Sequence, residues 1–106
     1  MDDFGPLTCL LGQRVTKAVM VHDYVHLSFG DAVQLSIFND FEVEPEKSGI
    51  ADLIGLRVTA VHSSAKEELI KLEDGLRLRI ELGSEAFHGP EAMRLGRAGH
   101  DTVVWN

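Results

Sequence analysis

The sequence has little of what would place it outside the cell or in a membrane. Cys9 is its only cysteine, so no disulfide can form within the chain. Its longest apolar runs fall far short of the roughly 20 residues that cross a bilayer. The opening MDDFGPLTCLLGQ carries two aspartates and an early Gly-Pro pair, and it lacks the basic start and longer apolar run of a secretory signal. We therefore expect a cytoplasmic protein with no membrane partner.

Basic residues are also scarce. Ten Lys and Arg stand against 17 Asp and Glu, which gives the 106-residue chain a net charge of −7. Nucleic acid demands clustered Lys and Arg, so no nucleic-acid partner is expected. The same imbalance is compatible with a basic protein partner, although acidity alone often serves only solubility.

Motifs that indicate catalysis or cofactor binding are missing as well. The chain has no G-x-S-x-G nucleophile elbow and no G-x-G-x-x-G or phosphate loop. Glu85, His88 and Glu91 cluster in EAFHGPE, and two serines follow His62. Residues that could form a Ser/His/acid catalytic set can be picked out of any sequence rich in polar residues. We expect no cofactor and favour a non-enzymatic function, although the sequence leaves an enzyme open.

What the chain does contain is a repeat. LLGQRVTKAV at 10–19 returns as LIGLRVTAVH at 53–62, and residues 10–42 align with residues 53–85 without a gap. Nine of the 33 aligned positions are identical, where chance would give roughly two. They are Leu10/Leu53, Gly12/Gly55, Arg14/Arg57, Val15/Val58, Thr16/Thr59, Asp31/Asp74, Leu35/Leu78, Ile37/Ile80 and Glu42/Glu85. The constant register predicts two copies of one supersecondary unit in a single domain, 1–106.

Each copy has the alternation of a β-hairpin. In LIKLEDGLRLRIEL, 69–82, apolar and charged residues alternate with period two, as in strands with one wet face. A three-residue loop, Glu73–Gly75, keeps Leu72 and Leu76 on the same face and places its glycine where a left-handed residue is needed. The first copy has GDA in place of EDG, and Gly30 supplies the flexible point there.

These units predict a mainly β fold. Each opens with a short helical turn closed by Gly12 or Gly55, and a bulge is expected near Lys17, where the alternation slips. One three-stranded unit cannot bury its apolar face alone. We expect an antiparallel sandwich or partly open barrel of about eight strands, formed by two pseudo-symmetric three-stranded repeats and a C-terminal hairpin ending at Trp105. The acidic segment 39–49 is expected to be the long loop between the repeats.

Several of these sequence features form one layout along the chain. They are the L-x-G-x-x-V openings Leu10-Gly12-Val15 and Leu53-Gly55-Val58, the turn Asp74-Gly75, and Glu91-Ala92 near the end. The layout resembles a set of small uncharacterised bacterial two-repeat β proteins. The resemblance implies this fold and a bacterial origin, and it carries over no catalytic residue. Some small acidic bacterial proteins neutralise toxins, which is an analogy of class only.

Two histidines are candidate metal ligands. His22 and His26 flank the connection HDYVH. If its loop is Asp23-Tyr24-Val25, the two histidines face each other on the outward side of a hairpin. They could then bind zinc or nickel, with Asp23 or a partner chain completing the ligands. The alternative is a pair of exposed histidines with no ligand.

Three aromatic residues are candidate interface residues. Phe38 and Phe41 lie among carboxylates, a pattern that can form an interface for a basic partner or tie a loop to the core. Trp105 ends the uncharged stretch TVVW, which either closes the core or meets a second copy. We therefore expect a protein-interaction module that forms a homodimer. The alternative is a small-molecule or metal-binding protein, which would use His22 and His26 or a cleft between the repeats.

Overall fold

The computed structural model describes residues 6–22, 24–82, 93–99 and 101–105. Within them, nine strands form two antiparallel sheets, and the helices are short 3-10 turns at Pro6–Leu10, Ile50–Leu53 and Glu73–Gly75. The strands are β1 (Val15–Val21), β2 (Tyr24–Phe29), β3 (Val33–Ile37), β4 (Phe41–Glu44), β5 (Val58–Ser63), β6 (Glu67–Leu72), β7 (Arg77–Glu81), β8 (Met93–Arg97) and β9 (Val103–Trp105). The predicted mainly β fold is confirmed, and no closed barrel forms among these strands.

The sheets exchange strands between the two halves of the chain. The five-stranded sheet has the order β1-β2-β3-β8-β9, and the four-stranded sheet has the order β4-β7-β6-β5. The expectation that 39–49 is only a loop is wrong, because Phe41–Glu44 pairs with β7. In the same way β8 pairs with β3. Each half therefore places three strands in its own sheet. The first half adds β4 to the other sheet, and the second half adds β8 and β9 to the other sheet.

The halves meet at Arg14 and Arg57, which form an isolated antiparallel bridge. Around this bridge, backbone hydrogen bonds occur in pairs whose members are related by a shift of 43 residues. They are Gly12 N to Val58 O (2.9 Å) with Gly55 N to Val15 O (2.8 Å), and Val15 N to Leu56 O (2.9 Å) with Val58 N to Gln13 O (2.9 Å). The backbone of β1–β3 therefore follows the same course as that of β5–β7, and within these strands residues 43 apart occupy equivalent positions.

The predicted turns are also present. The connection between β6 and β7 is the three-residue turn Glu73–Gly75, in which Gly75 has a φ of 79°. The turn between β2 and β3 uses Gly30, whose φ is 62°. The bulge expected near Lys17 is confirmed by a register shift between β1 and β2, and β5 shifts against β6 at the equivalent place. These features have local causes, namely left-handed glycines and an interrupted alternation.

The core fills the space between the two sheets. Its most buried side chains come from the inward faces of both sheets and from the first two 3-10 turns. They include Leu7, Leu10, Leu27, Phe29, Leu35, Ile37, Leu53, Ile70, Leu78, Ile80, Met93 and Leu95. Full burial of one such side chain contributes about 1.5–3 kcal/mol. The side chains on the outward faces of the sheets are more exposed to solvent. None of the helices in the described part of the chain is long and apolar enough to cross a membrane.

Candidate functional site

The outer face of the five-stranded sheet presents a continuous row of paired residues. Because paired residues of antiparallel strands point to the same side, the register places one side chain from each strand in line. The row is Val19, His26, Ser36, Arg94 and Val104. The chain neighbours Leu27 and Leu35 are buried on the opposite side of the sheet, so this row faces outward.

An aromatic pair lies beside this row. The rings of Tyr24 and Phe38 have their centroids 4.9 Å apart and their planes tilted by 43°. The guanidinium carbon of Arg94 lies 5.9 Å from the centroid of the Phe38 ring. Val21 pairs with Tyr24 and extends the apolar surface toward the edge of the sheet. We call Val19, Val21, Tyr24, His26, Ser36, Phe38, Arg94 and Val104 the aromatic face.

The aromatic face is partly accessible to solvent. Tyr24, His26 and Phe38 are half-buried, and Arg94 is exposed. Tyr24, His26 and Arg94 belong to strands with a neighbouring strand on each side, and Phe38 directly follows the end of β3. A binding surface built this way loses little backbone entropy when a partner docks.

The outer face of the four-stranded sheet has a different character. Arg79 lies 2.7 Å from the carboxylate of Glu67 and 3.3 Å from that of Glu44, and Arg77 lies 2.9 Å from Glu44. The carboxylates hold the pKa of the Arg79 guanidinium above its usual range. Ion pairs at the surface of a protein are typical of a face that stays in water.

The two outer faces differ at equivalent positions of the fold. Where the four-stranded sheet has Glu67, Arg79 and Glu81, the five-stranded sheet has Tyr24, Ser36 and Phe38. In the fourth strands, Glu42 pairs with Arg79 as Arg94 pairs with Ser36, so Glu42 is the equivalent of Arg94. The same backbone thus carries one charged face and one face with aromatic residues and few charges.

The structure separates the three aromatic residues that the sequence grouped. Phe38 lies on the aromatic face, where it contacts Tyr24. Phe41 lies in β4 opposite the buried Ile80, and its side chain packs against the core. Trp105 also packs against the core and pairs with Met93, as a terminal hairpin requires. Of the three, only Phe38 is on an outward face.

The predicted arrangement of the two histidines is wrong. Val21 pairs with Tyr24, so the connection has two residues rather than three, and Val19 lies opposite His26. His22 occupies the turn with a φ of 56°. Nδ1 of His26 lies 3.3 Å from the hydroxyl oxygen of Ser36. Among the residues that the structure describes, no group of three or more His, Cys, Asp or Glu could hold a metal ion.

The sequence reasoning missed a buried carboxyl group at Glu68. This side chain is 3% exposed and faces inward at the position equivalent to Val25. Its Oε1 accepts a hydrogen bond from the hydroxyl of Ser63 at 2.5 Å, and its Oε2 accepts one from Nε1 of Trp105 at 3.3 Å. Burial raises the pKa of the Glu68 carboxyl, and the two hydrogen bonds oppose the rise. The signal was available, since Glu68 is in phase with the inward residues of β6.

Glu68 has neutral hydrogen-bond partners. The hydroxyl of Ser63 and the indole N–H of Trp105 both donate to its carboxylate. Of the other sequence candidates, His62 is exposed, and Glu85, His88 and Glu91 lie outside the described residues. We assign Glu68 a structural role that links the two sheets.

No protein-family model, curated protein or solved structure matches this chain. The resemblance to bacterial two-repeat β proteins therefore stays a prediction.

Proposed function

We propose that this protein is a non-enzymatic interaction module that binds a protein partner through the aromatic face. The observation that carries the proposal is the difference between the two outer faces. Equivalent positions hold Tyr24, Ser36 and Phe38 in one sheet and Glu67, Arg79 and Glu81 in the other. The four-stranded sheet shows that this backbone accepts charged residues at these positions of its outer face. The aromatic residues are therefore not required by the fold.

The composition of the aromatic face fits a protein interface. Tyr, Phe, Met and Arg are enriched at such interfaces, and Tyr and Arg often provide a large part of the binding energy. Phe38 lies close to both Tyr24 and Arg94. Residues that exclude water from such a cluster complete an interface of this type. Val21 pairs with Tyr24, and Val104 pairs with Arg94.

The alternative function, binding of a small molecule or metal, has less support. His22 and His26 do not face each other, since Val19 occupies the position opposite His26. The space between the two sheets is filled by buried apolar side chains such as Phe29 and Ile80. A ligand site between the halves would have to displace this core, which costs several kcal/mol.

The proposal keeps two expectations from the sequence. The protein acts in a bacterial cytoplasm, and it forms a homodimer. Support for the dimer comes from β9, an uncharged strand at the edge of the five-stranded sheet, in which Val104 is 37% exposed. An unguarded edge strand of this kind can pair with the same strand of a second copy.

Two matched double variants test the proposed function. Y24E/F38E installs on the aromatic face the glutamates that Glu67 and Glu81 provide at equivalent positions. The control is L69H/K71S. It places on the outer face of the four-stranded sheet the histidine and serine that the five-stranded sheet has at the equivalent positions, His26 and Ser28. We expect wild type and control to crosslink the same partner in a native lysate and Y24E/F38E to lose it. Circular dichroism checks that both variants fold.

The result that would overturn the proposal is equally direct. A partner captured equally by Y24E/F38E and by wild type would show that the aromatic face is not the binding surface. If the purified protein turned over a metabolite and Y24E/F38E did not change that activity, the protein would be an enzyme rather than an interaction module.

A further inference from the structure

We infer that the free edge of β4 binds an extended segment of a basic protein partner, which adds to the four-stranded sheet as a fifth strand. The segment has an apolar residue opposite Val43, a Lys or Arg opposite Glu42 and an aromatic residue opposite Phe41. This edge belongs to the sheet that does not carry the aromatic face, so the inference is independent of the proposed function.

The two sheets differ by one strand at equivalent places. β3 pairs with β8 in one sheet as β7 pairs with β4 in the other, so β4 is the equivalent of β8. β9 continues the five-stranded sheet beyond β8, whereas among the described residues no strand follows β4. Three residues of β8 pair with β9, and their equivalents in β4 are Phe41, Glu42 and Val43. The added strand therefore takes the place that β9 has in the other sheet.

The backbone of β4 has hydrogen-bonding groups at this edge. The amide of Glu81 donates to the carbonyl of Asp40 over 3.0 Å, and Phe41 pairs with Ile80. Because the backbone groups of successive residues in an antiparallel strand point to alternate sides, the N–H and C=O groups of Phe41 and Val43 point away from β7. Such edge groups bind the main chain of an added strand, and the flanking side chains then decide which segment fits.

An exposed apolar side chain marks the space that the added strand covers. Met20 pairs with buried Val25 and so has the inward phase of β1, yet it is 54% exposed. The equivalents of these two residues are Ser63 and Glu68. At that end of the sandwich, Trp105 of β9 reaches across to hydrogen-bond Glu68. In the described part of the chain β4 has no such neighbour, so an aromatic residue of the added strand takes the place of Trp105 beside Met20.

Glu42 decides the charge of the segment. Its side chain is exposed and points outward, on the same side as Arg79 of β7. Arg79 is already bound by Glu44 and Glu67, and none of the ion pairs in the described part of the chain includes Glu42. Opposite charges directly across two antiparallel strands attract and like charges repel. The edge therefore favours a Lys or Arg opposite Glu42 and rejects a strand with a carboxylate there.

Synthetic peptides test the inference with defined probes. A capped peptide with Val-Lys-Trp at its centre is titrated into isotope-labelled protein and followed by NMR. We expect it to shift the amide signals of Phe41 and Val43 and the methyl signal of Met20, and to protect the two amides from hydrogen exchange. The same peptide N-methylated at its Val and Trp cannot donate the main-chain hydrogen bonds, and we expect it to bind at least about tenfold more weakly.

Charge reversal tests the preference for a basic segment. We expect wild type to bind Val-Lys-Trp at least about fivefold more tightly than a matched Val-Glu-Trp peptide, and E42R to reverse this order. The control D31R makes the same change of net charge at the exposed turn between β2 and β3. It should leave both affinities within about twofold of wild type. Circular dichroism checks that both variants fold.

Several results would overturn the inference. Absence of shifts at Phe41 and Val43 at millimolar peptide would remove the site. Equal binding of the N-methylated peptide would exclude strand addition, and equal binding of Val-Lys-Trp and Val-Glu-Trp by wild type would exclude the basic segment. Y24E/F38E should bind Val-Lys-Trp as wild type does, and loss of binding in that variant would place the peptide on the aromatic face. E42R leaves the aromatic face unchanged, so failure of this inference and failure of the proposed function are distinguishable.

Discussion

Trp105 donates a hydrogen bond from Nε1 to Oε2 of Glu68 over 3.3 Å and so joins the five-stranded sheet to the four-stranded sheet. Trp105 is the only tryptophan of the chain. Its emission therefore reports on a single place in the molecule, next to a carboxyl whose pKa is raised by burial.

The first prediction is a titration of Trp105 fluorescence. Ionisation of Glu68 places a negative charge against the indole and changes its emission. We expect the midpoint of the change to lie above the pH at which an exposed glutamate ionises. E68Q should remove the titration, and E67Q, which alters the adjacent outward residue, should leave it. If the transition persisted in E68Q, the ionising group would be a residue other than Glu68.

The second prediction concerns stability and pH. Because burial raises the pKa of folded Glu68 above its unfolded value, its stabilising contribution is fully present below the unfolded pKa and is lost as the pH rises through the folded pKa. We expect E68Q to have a higher free energy of unfolding than wild type at pH 7, since the neutral amide need not ionise. The difference should shrink toward pH 4. Urea unfolding at both pH values measures it, and a destabilised E68Q at pH 7 would contradict it.

The third prediction distinguishes the two phenylalanines. F41A removes a ring that packs against the core, and we expect it to lower the free energy of unfolding by about 2–3 kcal/mol without changing partner binding. F38A removes an outward ring, and we expect a loss below about 1 kcal/mol together with loss of binding. Urea unfolding and crosslinking of the partner provide the two readouts. Equal effects of F38A and F41A on binding would show that one surface includes both residues.

The sequence placed the local features of the fold well. The turn Glu73–Gly75, the left-handed Gly30 and the bulge near Lys17 depend on a few adjacent residues, and the structure has all three. The terminal hairpin was predicted, although not the pairing of its first strand, β8, with β3. Strand β4 was missed. Its pairing joins Phe41 to Ile80, and Pro45 with four nearby carboxylates gives the segment the composition of a loop. Because the pairing strand β7 is distant in the sequence, the residues around Phe41 carry no local signal that they form a strand.

The candidate site was only partly predictable for the same reason. Phe38 and Phe41 are three residues apart, but the chain crosses from one sheet to the other between them. Asn39 anchors the crossing, since its Nδ2 donates to the carbonyl of Glu81 over 2.7 Å. Two neighbouring aromatic residues therefore point to opposite sides of the molecule. The contrast between the outer faces became visible only when the register identified equivalent positions.

The fourth prediction is self-association through β9. We expect light scattering at micromolar concentration to give a dimer mass for wild type. V104K, which places a charge on the edge strand, should shift the equilibrium toward monomer. A60K, which places a lysine on the edge strand β5 of the other sheet, is the control and should leave the dimer intact. A wild-type mass near the 11.7 kDa of one chain would contradict the dimer.

The binding affinity of the matched face variants tests the central claim most directly. The partner crosslinked in the native lysate is purified and titrated by calorimetry into wild type, Y24E/F38E and L69H/K71S under the same conditions. If the aromatic face is the binding surface, the Kd of Y24E/F38E rises at least about 100-fold, the effect of losing a central aromatic cluster, while the Kd of L69H/K71S stays within about twofold of wild type. A Kd for Y24E/F38E within twofold of wild type, in a variant that folds normally, would contradict the account.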